Sequence, residues 1–280
     1  MNYGKVSKQA FDIVLKINVF KNLACALAAT ICFVSPYSLA TESQTLPKTL
    51  RIGVEDINYA PVMNFTEGKH DGLLYQILHE FALQNDIELS FIPLPLNRFP
   101  FWFDENAIDI RLPDNARWKL SSTNNIRYSA PMITVCDTTV VLDKNRDMPP
   151  DAFMRLGLPI GFTPSSKWKD AIETGKLEIV RDTSLRVLAQ MLVNEMIDGI
   201  DVNIAIIQNE LKHLGKSPAL VSVSSSVNAD PVKYQISTKH HTEVIDSFNS
   251  FVTDNKEKIE TWANDNGIAI APQCDRFRSN

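Results

Sequence analysis

Residues 133–142 read Ile-Thr-Val-Cys-Asp-Thr-Thr-Val-Val-Leu, ten positions without glycine or proline, most of them β-branched. Such side chains pack well on a pleated surface and lose rotamer freedom in a helix, so the stretch predicts a strand. It is nearly twice the length of an ordinary strand. That suits a segment crossing from one lobe of a molecule to another.

Outward from it the pattern alternates. Upstream, Thr49 to Val54 alternates in strand fashion, and Leu73, Leu74, Ile77, Leu78 and Phe81 follow Gly72 at helical spacing. Ile87 to Ile92 and Ile108 to Arg111 are further strand candidates, flanking an aromatic-rich segment from Phe99 to Phe103. Downstream, Leu158 to Phe162 reads as a buried strand. Ser165 or Ser166 then caps a helix carrying Trp168, Ala171 and Ile172, which Gly175 ends. Leu177 to Val180 predicts a strand, and Thr183 or Ser184 caps a helix bearing Leu185, Leu188, Leu192 and Met196. Gly199 to Val202 is the next strand, Asn203 to Leu214 a helix stopped by Gly215, and Val232 to Ser237 a returning strand. One long helix is expected from Thr242 to Asn266, with Val244, Ile245, Phe248, Phe251, Val252, Ile259 and Trp262 on one side. This alternation defines an α/β chain of mostly parallel sheets covered by helices.

The N-terminus reads differently. Lys5, Lys8, Lys16 and Lys21 precede an uncharged run from Leu23 to Val34, then Pro36 and Ser38-Leu39-Ala40. Basic segment, short apolar core, helix breaker and small residues are the order of a secretory signal peptide, with cleavage after Ala40. The apolar core falls short of the roughly 20 residues that span a bilayer. Removing residues 1–40 takes four lysines and Asp12 from the 28 basic and 33 acidic residues, leaving 24 and 32. An acidic mature chain argues against nucleic acid or anionic lipid as partner. Of the four cysteines, Cys25 and Cys32 leave with the leader. Cys136 and Cys274 remain, open to pairing in an oxidising compartment or to standing free.

A family resemblance spans nearly the whole mature chain. It rests on Leu50-Arg51-Ile52-Gly53-Val54, Tyr59-Ala60-Pro61, Gly72, Ile108-Asp109-Ile110, Tyr128-Ser129-Ala130-Pro131, Gly161-Phe162-Thr163 and Ile197-Asp198-Gly199, in that order. In these elements the chain resembles the family 3 extracellular solute-binding proteins, which include polar amino-acid receptors of ABC importers. The resemblance implies a two-lobed periplasmic binding protein fold of type II, with two sheets flanked by helices and joined by two crossing strands. Residues 46–141 plus 237–280 would form lobe one and 142–236 lobe two. It also implies a monomer in the periplasm that captures a small polar molecule between the lobes and hands it to a membrane permease. A membrane sensor is the alternative recipient.

Two departures stand out. The family's carboxylate-gripping arginine falls, by spacing from Tyr128, on Ser122, and its ammonium-gripping aspartate falls on Asn203. The segment Leu112-Pro113-Asp114-Asn115-Ala116-Arg117-Trp118 instead resembles a Pro-Asp-Asn-x-x-Trp motif of another branch.

The candidate ligand contacts are therefore Tyr59, Arg98, Arg111, Asp114, Asn115, Arg117, Trp118, Phe162, Thr163 and Asn203. Tyr59 and Trp118 offer flat faces for stacking, or else fill a lobe. Arg98, Arg111 and Arg117 can clamp an anion, or only solvate a surface. Asp114 accepts a cation or caps a turn, and Asn203 is a site amide or a helix N-cap. Phe162 and Thr163 precede helical amides that bind anions or carbonyls.

Catalysis is the rival class, because a few proteins resembling this family are dehydratases. Glu55 and Asp56 are the carboxylate pair nearest the expected cleft, while His70, His79, His213, His240 and His241 are scattered outside any catalytic motif. No enzyme activity, cofactor or metal is therefore expected. Mass spectrometry of periplasmic material is expected to find the N-terminus at or near Thr41, and intact Met1 in that fraction would refute the cleavage.

Overall fold

The computed structural model describes residues 45–104, 107–118, 125–271 and Cys274. The expected leader (residues 1–40) and Ser122 lie outside the described residues. The chain begins with β1 (Thr49–Glu55), β2 (Asn58–Tyr59), β3 (Met63–Asn64), α1 (Leu73–Gln84) and β4 (Glu88–Leu94). Then come β5 (Ile110–Asp114), β6 (Arg127–Tyr128) and β7 (Ile133–Leu142). Next are β8 (Arg155–Pro159), α2 (Lys169–Glu173), β9 (Glu178–Asp182), α3 (Leu185–Val193) and β10 (Gly199–Val202). The remainder is α4 (Ile204–His213), β11 (Val221–Val223), β12 (Asp230–Thr238), α5 (Thr242–Asp254) and α6 (Lys256–Asp265).

The strands run β4-β1-β5-β12-β7-β10-β8-β9, with β6 on β12 and β11 on β7. β1 pairs parallel with β4 and β5, and β8 pairs parallel with β9 and β10. The two parallel halves meet at one antiparallel contact. There Ile133–Asp137 of β7 faces Asp230–Tyr234 of β12. β7 and β12 are thus the two crossing strands, and β7 occupies the span read from its sequence.

Each half is held by an apolar helix face. In α1, Leu73, Leu74, Ile77, Leu78, Phe81 and Ala82 are buried, and Phe81 stacks edge-on against Phe248 of α5 with centroids 5.1 Å apart. Every large apolar side chain so buried contributes about 1.5–3 kcal/mol. In the other half, Leu188, Ala189 and Leu192 of α3 and Ile206, Ile207 and Leu211 of α4 are buried. Trp168 packs on Phe153 at 5.1 Å. Ser184 caps α3, its hydroxyl accepting from the Val187 amide. Among the described residues no helix is long and apolar enough to cross a membrane.

Several boundaries differ from the sequence reading. β5 starts at Ile110 rather than Ile108, because the Asp109 carboxylate turns to Arg51, accepting from its backbone amide at 2.8 Å and its guanidinium at 2.5 Å. β8 covers Arg155–Pro159 rather than Leu158 to Phe162. Its register with β9 runs from Arg155 to Pro159, and Gly161 at φ +91° then turns the chain. Neither Ser165 nor Ser166 caps by its side chain; Ser165 donates its hydroxyl to Asp230 instead. The long terminal helix breaks at Asn255, whose carboxamide donates to the Phe251 carbonyl at 2.9 Å and whose backbone leaves the helical region.

Cys136 and Cys274 are joined by a disulfide closing a sequence separation of 138 residues. Cross-links of this span typically contribute about 2–5 kcal/mol.

At the start of α1, Gly72 has φ +96°, and a Cβ there would lie 2.7 Å from the Met63 Cα. Backbone, unlike a side-chain tip, cannot move aside cheaply. Gly72→Ala is expected to lose at least about 1–3 kcal/mol in urea melts from the backbone conformation alone, and an unchanged midpoint would contradict this contact.

Candidate functional site

A cavity of about 270 Å³ opens where the two halves approach. One wall comes from the first half: Leu96, Pro113, Asn115, Arg117 and Trp118. The opposite wall is the loop after β8, from Gly161 to Ser166, with Leu158 and Asp201. Its floor is built from the end of β1 and the crossing strands, which supply Glu55, Asp137, Asp230 and Tyr234.

The local sequence explains each position. Glu55 ends β1, a strand whose interior Ile52, Gly53 and Val54 are buried, so the carboxylate is carried inward with the sheet and is only 3% exposed. Asp137 sits mid-strand in β7 directly across from Asp230 of β12. Tyr59 lies beneath the floor, its ring 5.4 Å from Phe162 across the cleft.

Three of these groups are buried without hydrogen-bond partners: Glu55 Oε2, Asp137 Oδ1 and the Tyr59 hydroxyl. The last lies near Tyr234 and the Asn203 backbone but makes no bond of ordinary geometry. An unpaired carboxylate in such a place is held back from ionising. Burial, with the Asp114 charge second, pushes Glu55 up to about 8. Burial and then the neighbouring Asp201 push Asp137 up to about 7. Tyr59 and Tyr234 are raised for the same first reason, with Asp137 next and Glu55 also contributing to both.

The remaining acids are partnered. Asp201 accepts from Thr139 Oγ1 at 2.6 Å and Trp168 Nε1 at 2.9 Å. Lys167 Nζ stands 3.5 Å from Asp201 and 3.8 Å from Asp230.

Of the ten residues singled out by sequence, Asn115, Arg117, Trp118, Phe162 and Thr163 line the cavity. The structure corrects the others. Arg111 is 1% exposed, its guanidinium 4.1 Å from the Phe99 centroid and 4.6 Å from that of Phe103, and paired with Asp114 at 3.0 Å. Asp114 also accepts from the Ser237 hydroxyl at 2.5 Å and the Asn115 amide at 2.6 Å. This pair holds the aromatic turn onto β5, and neither residue lines the cavity. Asn203 is wholly buried, donating to the carbonyls of Cys136 at 3.0 Å and Ala269 at 2.9 Å while capping α4. It is a structural cap. Arg98 is exposed on the turn Leu96–Phe101 and is not among the described lining residues. Tyr59 reaches the site only through Phe162 and the floor carboxyls. Asp137, Asp230 and Tyr234 were missed, although a charged residue inside the β-branched run 133–142 was the visible signal for Asp137.

No family model and no curated protein matches the sequence. Solved structures do. An ancestral arginine-binding protein bound to arginine superposes with TM-score 0.61 at 16% identity, over 78% of this chain and 98% of that one. An amino acid ABC transporter substrate-binding protein from Streptococcus pneumoniae bound to L-arginine gives 0.59 at 13%, over 78% and 94%. An ancestral amino acid-binding protein described as a precursor of cyclohexadienyl dehydratase gives 0.58 at 16%, again over 78% and 94%. The chain therefore has the two-lobed periplasmic binding protein fold. Its structural likeness is to amino acid ABC transporter substrate-binding proteins, the kind expected from its sequence motifs.

The raised carboxyls make stability pH-dependent. Between the ordinary values, 4.5 for Glu55 and 3.8 for Asp137, and the folded values near 8 and 7, the folded protein holds protons that the unfolded chain has released. Stability should therefore fall as pH rises through that window, by up to about 1.4 kcal/mol per pH unit for each carboxyl that keeps its proton. Urea melts of ligand-free protein at pH 5 and pH 8 should show the decline, and Glu55→Gln should remove part of it. An identical slope in that variant would show that Glu55 ionises normally.

Proposed function

We propose that this chain is a periplasmic solute-binding protein that captures a small polar molecule in the interlobe cavity and delivers it to the permease of an ABC importer. One observation carries the reading: a single cavity takes its walls from both halves and its buried polar floor from the strands that join them. A ligand there touches both lobes at once. It therefore binds the closed arrangement more tightly and shifts the population towards it.

The contacts across the cleft support the same reading. Besides Tyr59 against Phe162, Asn209 Nδ2 donates to the Ala60 carbonyl at 3.4 Å. A Cβ on Gly161 would meet Leu96 Cδ2 at 2.6 Å and its residue would have to adopt φ +91°, so a side chain there pushes Leu96 of the facing turn aside. We place the lobes at residues 46–141 plus 237–280 and 142–236, hinged where β7 pairs with β12. Asn115, Arg117, Trp118, Phe162 and Thr163 are the ligand contacts carried over from sequence. The protein works as a monomer, needs no cofactor and releases its solute unchanged.

Small-angle scattering of the exported protein, purified with its solute and again after stripping by unfolding, should show the solute-bound particle to be the more compact. Gly161→Ala should keep the fold but fail to reach that compact radius. Mass spectrometry of the released solute before and after prolonged incubation should give the same mass. An equal radius in both states would point to a rigid binder, and a changed mass to an enzyme.

A further inference from the structure

The reading of the cavity as a ligand site leaves two of its groups unexplained. Glu55 Oε2 and Asp137 Oδ1 are sealed from solvent, have no protein partner, and line the same cavity. They belong to different structural pieces, Glu55 to the end of β1 and Asp137 to the middle of a crossing strand. Both line the cavity floor together with Tyr234. Buried carboxyl oxygens without partners are costly, and retaining two in one cavity calls for an occupant.

The charge balance indicates which occupant. Among the described lining residues, four are acids, Glu55, Asp137, Asp201 and Asp230, against the single base Arg117. Lys167 pairs with Asp201 and Asp230 and reaches Asp137 only through its field. The acids whose oxygens lack a bonded partner are therefore Glu55 and Asp137, and the aromatic rings of Trp118, Phe162 and Tyr234 stand around the same space. Once ionised, Glu55 and Asp137 draw a cationic donor and repel an anion, while Asn115, Arg117 and the Thr163, Ser165 and Ser166 hydroxyls line the rest of the cavity.

We propose that the cavity takes a small organic cation bearing N–H groups, an ammonium or a guanidinium, which donates to Glu55 Oε2 and Asp137 Oδ1. No carboxylate on the ligand is required. The volume of about 270 Å³ is that of about nine waters in the liquid, which suits a small diamine or guanidino-amine. The two acids then ionise on binding, and each released proton is replaced by a charged hydrogen bond. Hydrogen bonds to charged groups are typically strong enough for ten- to about a hundredfold in affinity each.

Titration calorimetry at pH 8 on refolded, solute-stripped protein tests this with putrescine, agmatine, arginine, choline, glutamine and glutamate as probes. The expected result is that an N–H cation binds at least about tenfold tighter than glutamine, glutamate or choline. Glu55→Gln and Asp137→Asn, both neutral and near-isosteric, should each lose about tenfold or more without lowering the melting temperature. Binding should also tighten from pH 6 to pH 8 with proton release. That dependence should shrink in Glu55→Gln, although Asp114 faces Glu55, Asp201, Asp230 and Lys167 face Asp137, and Tyr59 and Tyr234 face both.

Tighter binding of choline would assign the cation to the aromatic rings alone and overturn the proposal. So would unchanged affinity in both variants, or no binding by any N–H cation. If glutamine or glutamate binds instead and compacts the particle, the solute-binding reading stands and the cation does not. If no probe binds and the purified protein carries no solute, both fall.

Discussion

Everything in this molecule is organised by the antiparallel pairing of Ile133–Asp137 with Asp230–Tyr234. It is the only hydrogen-bonded contact between the two parallel halves among the described strands. On the proposed reading, hinge and binding floor are therefore the same few residues. The pairing also sets Asp137 directly across from Asp230, and like charges in that relation destabilise a sheet. Lys167 answers the outer of the two at 3.8 Å. The inner one keeps Oδ1 without a hydrogen-bond partner, and in the proposed reading that cost in stability becomes an offer to a ligand.

The polar groups around the cleft divide by whether the protein itself satisfies them. Arg111 with Asp114, Asn203 with two carbonyls, and Asp201 with Thr139 and Trp168 are closed networks that fix the walls. Glu55, Asp137 and the Tyr59 hydroxyl are not closed. Satisfied groups hold geometry, and the proposed recognition falls to the unsatisfied acids that line the cavity.

The same division explains what was legible in the chain. β7 and β10 were read to the residue, because β-branched and apolar runs bounded by turns leave little choice of register. The break at Asn255 was invisible, since the apolar stripe continues across it and only a side-chain bond to Phe251 interrupts the backbone. Arg111 and Asn203 were read as ligand contacts because residue type and motif position say nothing about which partner claims a polar group first. Arg117, Trp118, Phe162 and Thr163 line the cavity as read because they follow strand ends on loops, and Asn115 lines it although its side-chain amide is bonded to Lys233 and Arg117. Asp137 was overlooked although an aspartate between Cys136 and Thr138, in a strand buried at most positions, had to meet something.

The Cys136–Cys274 bond has a consequence for the order of assembly. One of its ends neighbours Asp137 on the crossing strand, and the other lies 138 residues further along. The ring it closes takes in the whole second half of the molecule together with β12, α5 and α6. During synthesis that ring stays open until its last member has emerged, so Cys136 must wait as a thiol while the strands, helices and hinge it will enclose are already being made. A premature partner would trap the chain. In the finished fold Cys136 is 0% exposed, packed against Ala229, Ala269 and Cys274 itself, so its cover is complete only when that last segment docks.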